Sequence, residues 1–291
     1  MTLLPQVLVD SLLLGGLYTL MAIGLSLGFG VTRIINFAHG EFVMFGAYGA
    51  FWFWSLYGID PLFSLLAFAI LGFVAGWVLF KLTIEKVLNA PHLNQILLTF
   101  GIALVLQHIA VVLWTGDVRS AAPKYALTTS TFGNVFLIHG RFIAFFAAMG
   151  LVAALLCWLK WTENGRAIRA VAQNREAAML LGIDHKRMYA LAFALNCALA
   201  AAAGVMLSFL MNITPFMGFP VLVKAIAIVI LGGLGSVVGT VIAAFLLAFS
   251  ETLVAYYIPD GSSWAEGIAF MLIVAILLVR PRGILGLSAE F

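Results

Sequence analysis

Charged and imidazole side chains are sparse in this chain, so those inside its apolar runs are the first candidates for chemistry. His39 and Glu41 open one such run, Gln107 and His108 are adjacent in another, and Lys224 and Glu251 lie in two later ones. Carboxylate, imidazole and ammonium groups at membrane depth are the parts of a proton or cation relay. Each costs about 2.5–3.5 kcal/mol on insertion scales and asks for a partner or a task. Plainer roles fit as well. His39 and Glu41 fall within about two helical turns of Arg33 and make a surface ion pair. Lys224 sits near the outer end of its run and can extend its ammonium to the headgroups, and His108 with Gln107 suits an interhelical hydrogen bond. Glu251, in the middle or outer half of its run, is harder to excuse. Scattered charges of this kind do not make a relay.

Other chemistry is not legible. The chain has no G-x-x-x-x-G-K-[ST] loop to cradle nucleotide phosphates, and neither H-E-x-x-H nor G-x-S-x-G occurs. Its five histidines are too dispersed for a metal cluster. Cys157 and Cys197 both lie in apolar runs and read as small buried hydrophobes. The expectation is a non-catalytic chain with no metal and no cofactor of its own.

The elements that hold these residues follow from composition. Of 291 residues, 64% are apolar and 9% charged, against about 45–50% and about 25% in soluble domains. A bilayer core takes roughly 20 apolar residues per helix, and the runs are long and unbroken where a β-barrel would alternate. The expected fold is an all-α polytopic bundle of eight or nine spans in a single transmembrane domain, residues 1–291. The spans are placed at about 3–31, 36–57, 61–83, 93–114, 141–161, 188–210, 221–231, 237–258 and 264–279. The seventh is short enough to be a re-entrant half-helix. No Lys or Arg precedes the first run, so it reads as a retained span, not a cleaved signal. Cytoplasmic loops hold the positive charges. Arg33, Lys81, Lys86, the pair Arg280 and Arg282, and the group Arg166, Arg169, Arg175, Lys186 and Arg187 therefore face the cytoplasm. The N-terminus and the Ser/Thr-rich segment 116–140 then face out.

The segment 162–187 is the most polar stretch, and within it Asn174 to Gly182 forms a handle. Asn174 suits an N-cap, Glu176 lies in the first turn beside the positive helix end, and Gly182 can close the helix in the left-handed conformation. Two to three turns are expected, with Asp184 capping the next span immediately behind. Ala177, Ala178, Leu180 and Leu181 give it a small apolar surface, which suits either lipid headgroups or a docking cleft on a protein. Two glycine-punctuated breaks complete the pattern, Asn36-Phe37-Ala38-His39-Gly40-Glu41 and Gly232-Gly233-Leu234-Gly235-Ser236. Irregular backbone at membrane depth is tolerated where protein or water satisfies it, often along a substrate path. The pairs Gly24/Gly28, Gly72/Gly76 and Gly235/Gly239 have the spacing of close helix packing, and the first two are assigned to it.

Glu176-Ala177-Ala178 with Gly182 resembles the EAA-and-glycine signature of ABC importer permeases. Together with the break at Asn36 to Glu41, Gly46-Ala47-Tyr48, and Ile230 to Gly239, the chain resembles branched-chain amino acid ABC permeases of the LivH type over nearly its whole length. That resemblance implies one permease half of an importer in the bacterial inner membrane, N-terminus periplasmic and C-terminus cytoplasmic. The implied partners are a second related permease in a heterodimer, two ABC ATPase subunits that use ATP and Mg, and a periplasmic amino acid-binding protein. Asn174, Arg175, Glu176, Ala177, Ala178, Leu181 and Gly182 would dock on the ATPase. Asn36, Phe37, His39, Gly40, Glu41, Gly232, Gly233, Gly235 and Ser236 would line the path. Urea or short-amide import, and a stand-alone ion-coupled carrier using Glu41, Glu251 or His108, are the alternatives.

Overall fold

The computed structural model describes residues 3–133 and 135–286. Twelve helices and one hairpin follow in order: α1 (Leu4–Thr32), α2 (His39–Tyr57), α3 (Pro61–Leu82), α4 (His92–Trp114), α5 (Lys124–Leu127), β1 (Thr129–Phe132), β2 (Val135–Ile138), α6 (His139–Trp161), α7 (Glu163–Gln173), α8 (Arg175–Leu180), α9 (His185–Leu207), α10 (Gly218–Gly232), α11 (Val237–Tyr257) and α12 (Gly261–Val279). A 3-10 turn, Ile84–Val87, joins α3 to α4. The ends are set by local chemistry. Asp60 caps α3 ahead of Pro61 by accepting from Leu62 N, Thr162 caps α7, and Ser236 caps α11.

Among the described residues, seven helices are long and apolar enough to cross a membrane: α1, α3, α4, α6, α9, α11 and α12. The chain is a multi-pass membrane protein. Each of the eight or nine expected spans is a helix, and the two outside these seven, α2 and α10, are where the expected discontinuity lies. Helix α1 holds 29 residues, about 43 Å at 1.5 Å per residue. His39, the first residue of α2, places Nε2 2.8 Å from the carbonyl of Met21, in the body of α1 and not at its end. The linker 33–38 thus folds back into the protein. Asn36 is buried there, and the carbonyl of Ile35 accepts from Thr99 of α4. Helix α10 starts beside this point, since the backbones of Gly40 and Gly218 touch closely enough that a side chain on Gly40 would overlap the Gly218 carbonyl. It ends where Gly235 packs on Gly30, near the far end of α1. With 15 residues it spans about 22 Å, short of a core of about 30 Å. The two helices therefore begin together inside the protein and leave toward opposite faces, α2 toward the N-terminal face and the shorter α10 toward the handle face.

The core is built around α1 and α9. Gly24 and Gly28 of α1 face Asn196 of α9, while Gly72 and Gly76 of α3 face Cys197 and Ala201, so both glycine pairs serve close packing as expected. Gly204 of α9 lies against the backbone of Val43 and Ala47 in α2, and Gly46 against Ala201. Any larger residue there would separate the helices.

Candidate functional site

The handle is a short, well-terminated helix on the face opposite the N-terminus. Asn174 Oδ1 accepts from Ala177 N at 3.0 Å, Glu176 lies in the first turn, and Gly182 adopts φ 80°, a conformation that favours glycine. Gly182 N bonds Met179 O and Ile183 N bonds Ala178 O, which closes the helix on itself. It has six residues, fewer than the expected two to three turns, because Leu181 already leaves helical geometry. Helix α7, inside the polar stretch 162–187, precedes it. Ala178 is buried beneath α8, whereas Leu180 and Leu181 are 89% and 81% exposed, so the apolar surface points away from the chain's own core. Asp184 caps α9 by accepting from Lys186 N at 3.0 Å and Arg187 N at 3.2 Å. Arg175 braces the joint, its guanidinium 3.0 Å from His185 Nε2 and over the Tyr189 ring.

Eleven residues along α9 from His185, Asn196 meets the mid-depth break. His39 Nδ1 lies 2.6 Å from Asn196 Oδ1, and Asn36 Nδ2 lies 3.8 Å from Cys197 Sγ. Asn36 also accepts from Ala38 N, which shapes the turn into α2. Phe37 stacks edge-on against Phe100 of α4. Glu41 is buried against Gly218 with no hydrogen-bond partner on Oε2. Its carboxylate sits where the N-terminal ends of α2 and α10 converge, so both helix dipoles favour its charge. The expected ion pair of Arg33 with His39 and Glu41 is not formed. The chain turns inward after Arg33 and carries both residues to mid-depth.

The second break lies elsewhere. Gly233 and Gly235 take φ 100° and 81°, and the segment is tied down by the chain's own C-terminal stretch, with Ile284 N bonding Leu231 O and Leu285 N bonding Gly232 O. Those bonds satisfy the carbonyls that end α10. Ser236 caps α11, and Gly239 packs on Gly232. The two breaks are thus at different depths: His39, Gly40 and Glu41 lie at the centre, Gly232, Gly233, Gly235 and Ser236 at the handle face.

On the N-terminal face, segment 116–140 is more ordered than its Ser/Thr content suggests. It contains α5 and the antiparallel β1–β2 hairpin, with Thr129 opposite Ile138. Tyr125 donates to Asp60 at 2.8 Å, and burial together with that carboxylate holds its phenol well above the ordinary tyrosine range. Arg119 and Ile213 exchange backbone hydrogen bonds, pinning the α9–α10 connection.

Below this cover lies a cavity of about 540 Å³ between α1, α10, α11 and α12. Lys224 is drawn into it, contrary to the expected extension to headgroups: its Nζ donates to Tyr18 at 3.0 Å and lies 3.2 Å from Glu251 Oε1 and 3.3 Å from Glu266 Oε1. Tyr18 in turn donates to Glu251 Oε2. Nearer the face, Asp10 pairs with Arg141 at 3.4 Å and accepts from Tyr256 at 2.6 Å. Sequence reasoning singled out Lys224 and Glu251 but assigned them no common site. It passed over Tyr18, Asp10 and Glu266, whose only signal was a polar group in an apolar run. His108 does not make the expected interhelical bond: it is exposed and bonds the Leu104 carbonyl of its own helix at 2.8 Å, with no interhelical partner among the described residues.

A family model described as branched-chain amino acid transport system / permease component matches residues 7–277. The chain is 32% identical to the high-affinity branched-chain amino acid transport system permease protein LivH of Escherichia coli (strain K12) and 31% identical to that of Salmonella typhimurium. In both, the match covers 97% of this chain and 95% of the relative. It is 33% identical to the corresponding protein BraD of Pseudomonas aeruginosa, with the same coverage. No solved structure matches.

Proposed function

The chain belongs to the branched-chain amino acid transport permease family, and on that premise we propose that it is one transmembrane half of an ATP-driven importer for branched-chain, hydrophobic amino acids. It would work in a bacterial inner membrane with the N-terminal face periplasmic and the handle face cytoplasmic. Its partners would be a second related permease, two ATPase subunits that bind ATP and Mg, and a periplasmic binding protein that docks on the face bearing the β1–β2 hairpin. ATP hydrolysis would occur on the ATPases, with no catalytic step in this chain.

The observation that carries this function is the continuity of α9: it starts three residues behind Gly182 and holds the mid-depth break through Asn196 and His39. A push on the exposed Leu180 and Leu181 would pass along one capped helix to the point where α2 and α10 begin. ATP-driven closure of the ATPase pair would move the handle, tilt α9 and open the path outward, and hydrolysis would reset it. An ATPase dimer has two clefts and this chain one handle, which is why two permease chains are required.

The test is ATP-driven leucine uptake in proteoliposomes containing the chain with its co-purified partners. Glu176→Lys and Gly182→Pro should abolish uptake while leaving membrane insertion intact, and unchanged uptake in either would remove the handle from the mechanism. The Lys224–Glu251 pair in the cavity favours a second function, a stand-alone ion-coupled carrier. That would be established if the chain alone moved substrate down an ion gradient without ATPase subunits. Uptake of urea or short amides in place of leucine would reassign the substrate.

A further inference from the structure

The cavity under the N-terminal face carries more charge chemistry than a packing defect needs. Its deep end holds Lys224, Tyr18, Glu251 and Glu266, and its shallow end holds Asp10 and Arg141. Asp10 and Tyr18 are eight residues apart on α1, so the two ends are separated by about 12 Å. The wall between them is aliphatic, with Leu14, Leu17, Met21, Leu207 and Val221 among its residues. A volume of about 540 Å³ lies within the range of small-molecule sites, about 300–1,000 Å³, and such sites join an apolar wall to a few convergent polar groups.

The shallow ion pair is internally satisfied, because Asp10 accepts from Gln6 and Tyr256 as well as pairing with Arg141. The deep cluster is not. One ammonium faces two carboxylates there. Glu251 is more than nine-tenths buried, yet its Oε1 accepts no hydrogen bond, since Lys224 stands 3.2 Å away without the alignment of one. Glu266 is 57% exposed in its side chain and points its Oε1 at the same ammonium. Lys224 Nζ can donate up to three hydrogen bonds; it donates one, to Tyr18, and meets the two carboxylates as ion pairs without hydrogen-bond alignment. The cluster therefore has a free donor capacity on a cation beside free acceptor capacity on two anions, a few ångströms apart. A ligand that carries a carboxylate and an ammonium on one carbon satisfies both, and an aliphatic side chain fills the wall above. A simple anion would leave the second carboxylate unpaired, and a simple cation would balance the one excess carboxylate without offering Lys224 a further acceptor.

We propose that this cavity is a binding site for the zwitterion of a small aliphatic amino acid, with its carboxylate on Lys224 and its ammonium between Glu251 and Glu266. The choice of ligand rests on the amino acid import proposed above. The site lies between the N-terminal face and the mid-depth break, where a solute released at that face would be held before the break opens.

The experiment uses the complete transporter in proteoliposomes, with Cys157→Ser to remove the exposed native thiol and Ser262→Cys at the exposed rim on α12 to report on the cavity. Labelling by a membrane-impermeant maleimide should slow at least fivefold with saturating leucine. Leucinol, which lacks the carboxylate, and 4-methylpentanoate, which lacks the ammonium, should each fail to protect. Lys224→Met should abolish the protection. Ala265→Cys serves as the reporter if Ser262→Cys assembles poorly. Uptake of leucine is measured on the same vesicles. Uptake without protection overturns the cavity site while leaving import standing. Absence of amino acid uptake overturns import and this occupant with it. A thiol that labels in the isolated chain but is shielded without any ligand in the complete complex overturns the proposal too, because the cavity wall is then covered by the second permease.

Discussion

Helices α9 and α4 have the same length, 23 residues each, and similar hydropathy, yet 83% of the apolar window of α9 is buried against 17% for α4. Their polar residues behave accordingly. His108 of α4 bonds a carbonyl one turn back in its own helix and needs no neighbour. Asn196 of α9 reaches His39, at the start of α2. On the lipid-facing side of a peripheral helix His108 is satisfied locally, whereas Asn196 on the central helix connects elements more than 150 positions apart. In a chain where lipid supplies no hydrophobic drive between helices, such contacts and close glycine packing hold the bundle. The central helix is also the one that carries the handle, so the packing axis and the proposed line of force coincide.

This contrast orders the expected effects of substitution. The largest falls on packing at the centre. Gly204→Leu drives a side chain into the Val43 backbone and should cost about 3 kcal/mol by overpacking, so monodisperse protein in fluorescence-detected size exclusion should drop severalfold. The equivalent change at Gly101 on α4, where nothing lies within 4 Å, should leave that peak unchanged. Next is Asn196→Leu, which strips His39 of one partner. A cost of about 1–2 kcal/mol, typical of polar contacts between membrane helices, should appear as a lower thermal midpoint, and ATP-driven uptake should fall with basal ATPase activity retained. Asn174→Ala removes the handle's cap and should cost about 1 kcal/mol locally, visible as faster amide exchange in residues 175–180 and not in α9. The smallest effect belongs to His108→Leu, which should shift stability by less than about 0.5 kcal/mol and leave uptake at the original level. A strong loss with His108→Leu would break the contrast between centre and periphery.

The handle was readable because its determinants are short-range. Asn174 caps a residue three positions on, Gly182 supplies a left-handed φ, and Asp184 caps the next helix, all within one stretch of chain. The family signature overlaps the same residues. The depth at which α2 begins was not readable, because His39 meets Met21 and Asn196 only after the linker folds back, and hydropathy around Gly40 does not distinguish a surface turn from an interior one. The charged cavity escaped for the same reason. Tyr18, Lys224, Glu251 and Glu266 come from four helices, and each alone resembles an isolated polar residue in an apolar run.

The most direct test of rigid coupling through α9 is a pair of spin–spin distances in the complete transporter, measured with and without a non-hydrolysable ATP analogue. One pair joins Leu180 on the handle to Met211 just past the far end of α9, and the other joins Leu180 to Trp264 on α12. All three positions are exposed, and α9 spans about 34 Å, within reach of the method. If α9 carries the motion as one body, the Leu180–Met211 distance stays constant while the Leu180–Trp264 distance shifts with nucleotide. A Leu180–Met211 distance that changes as much as the other would contradict transmission through a rigid α9.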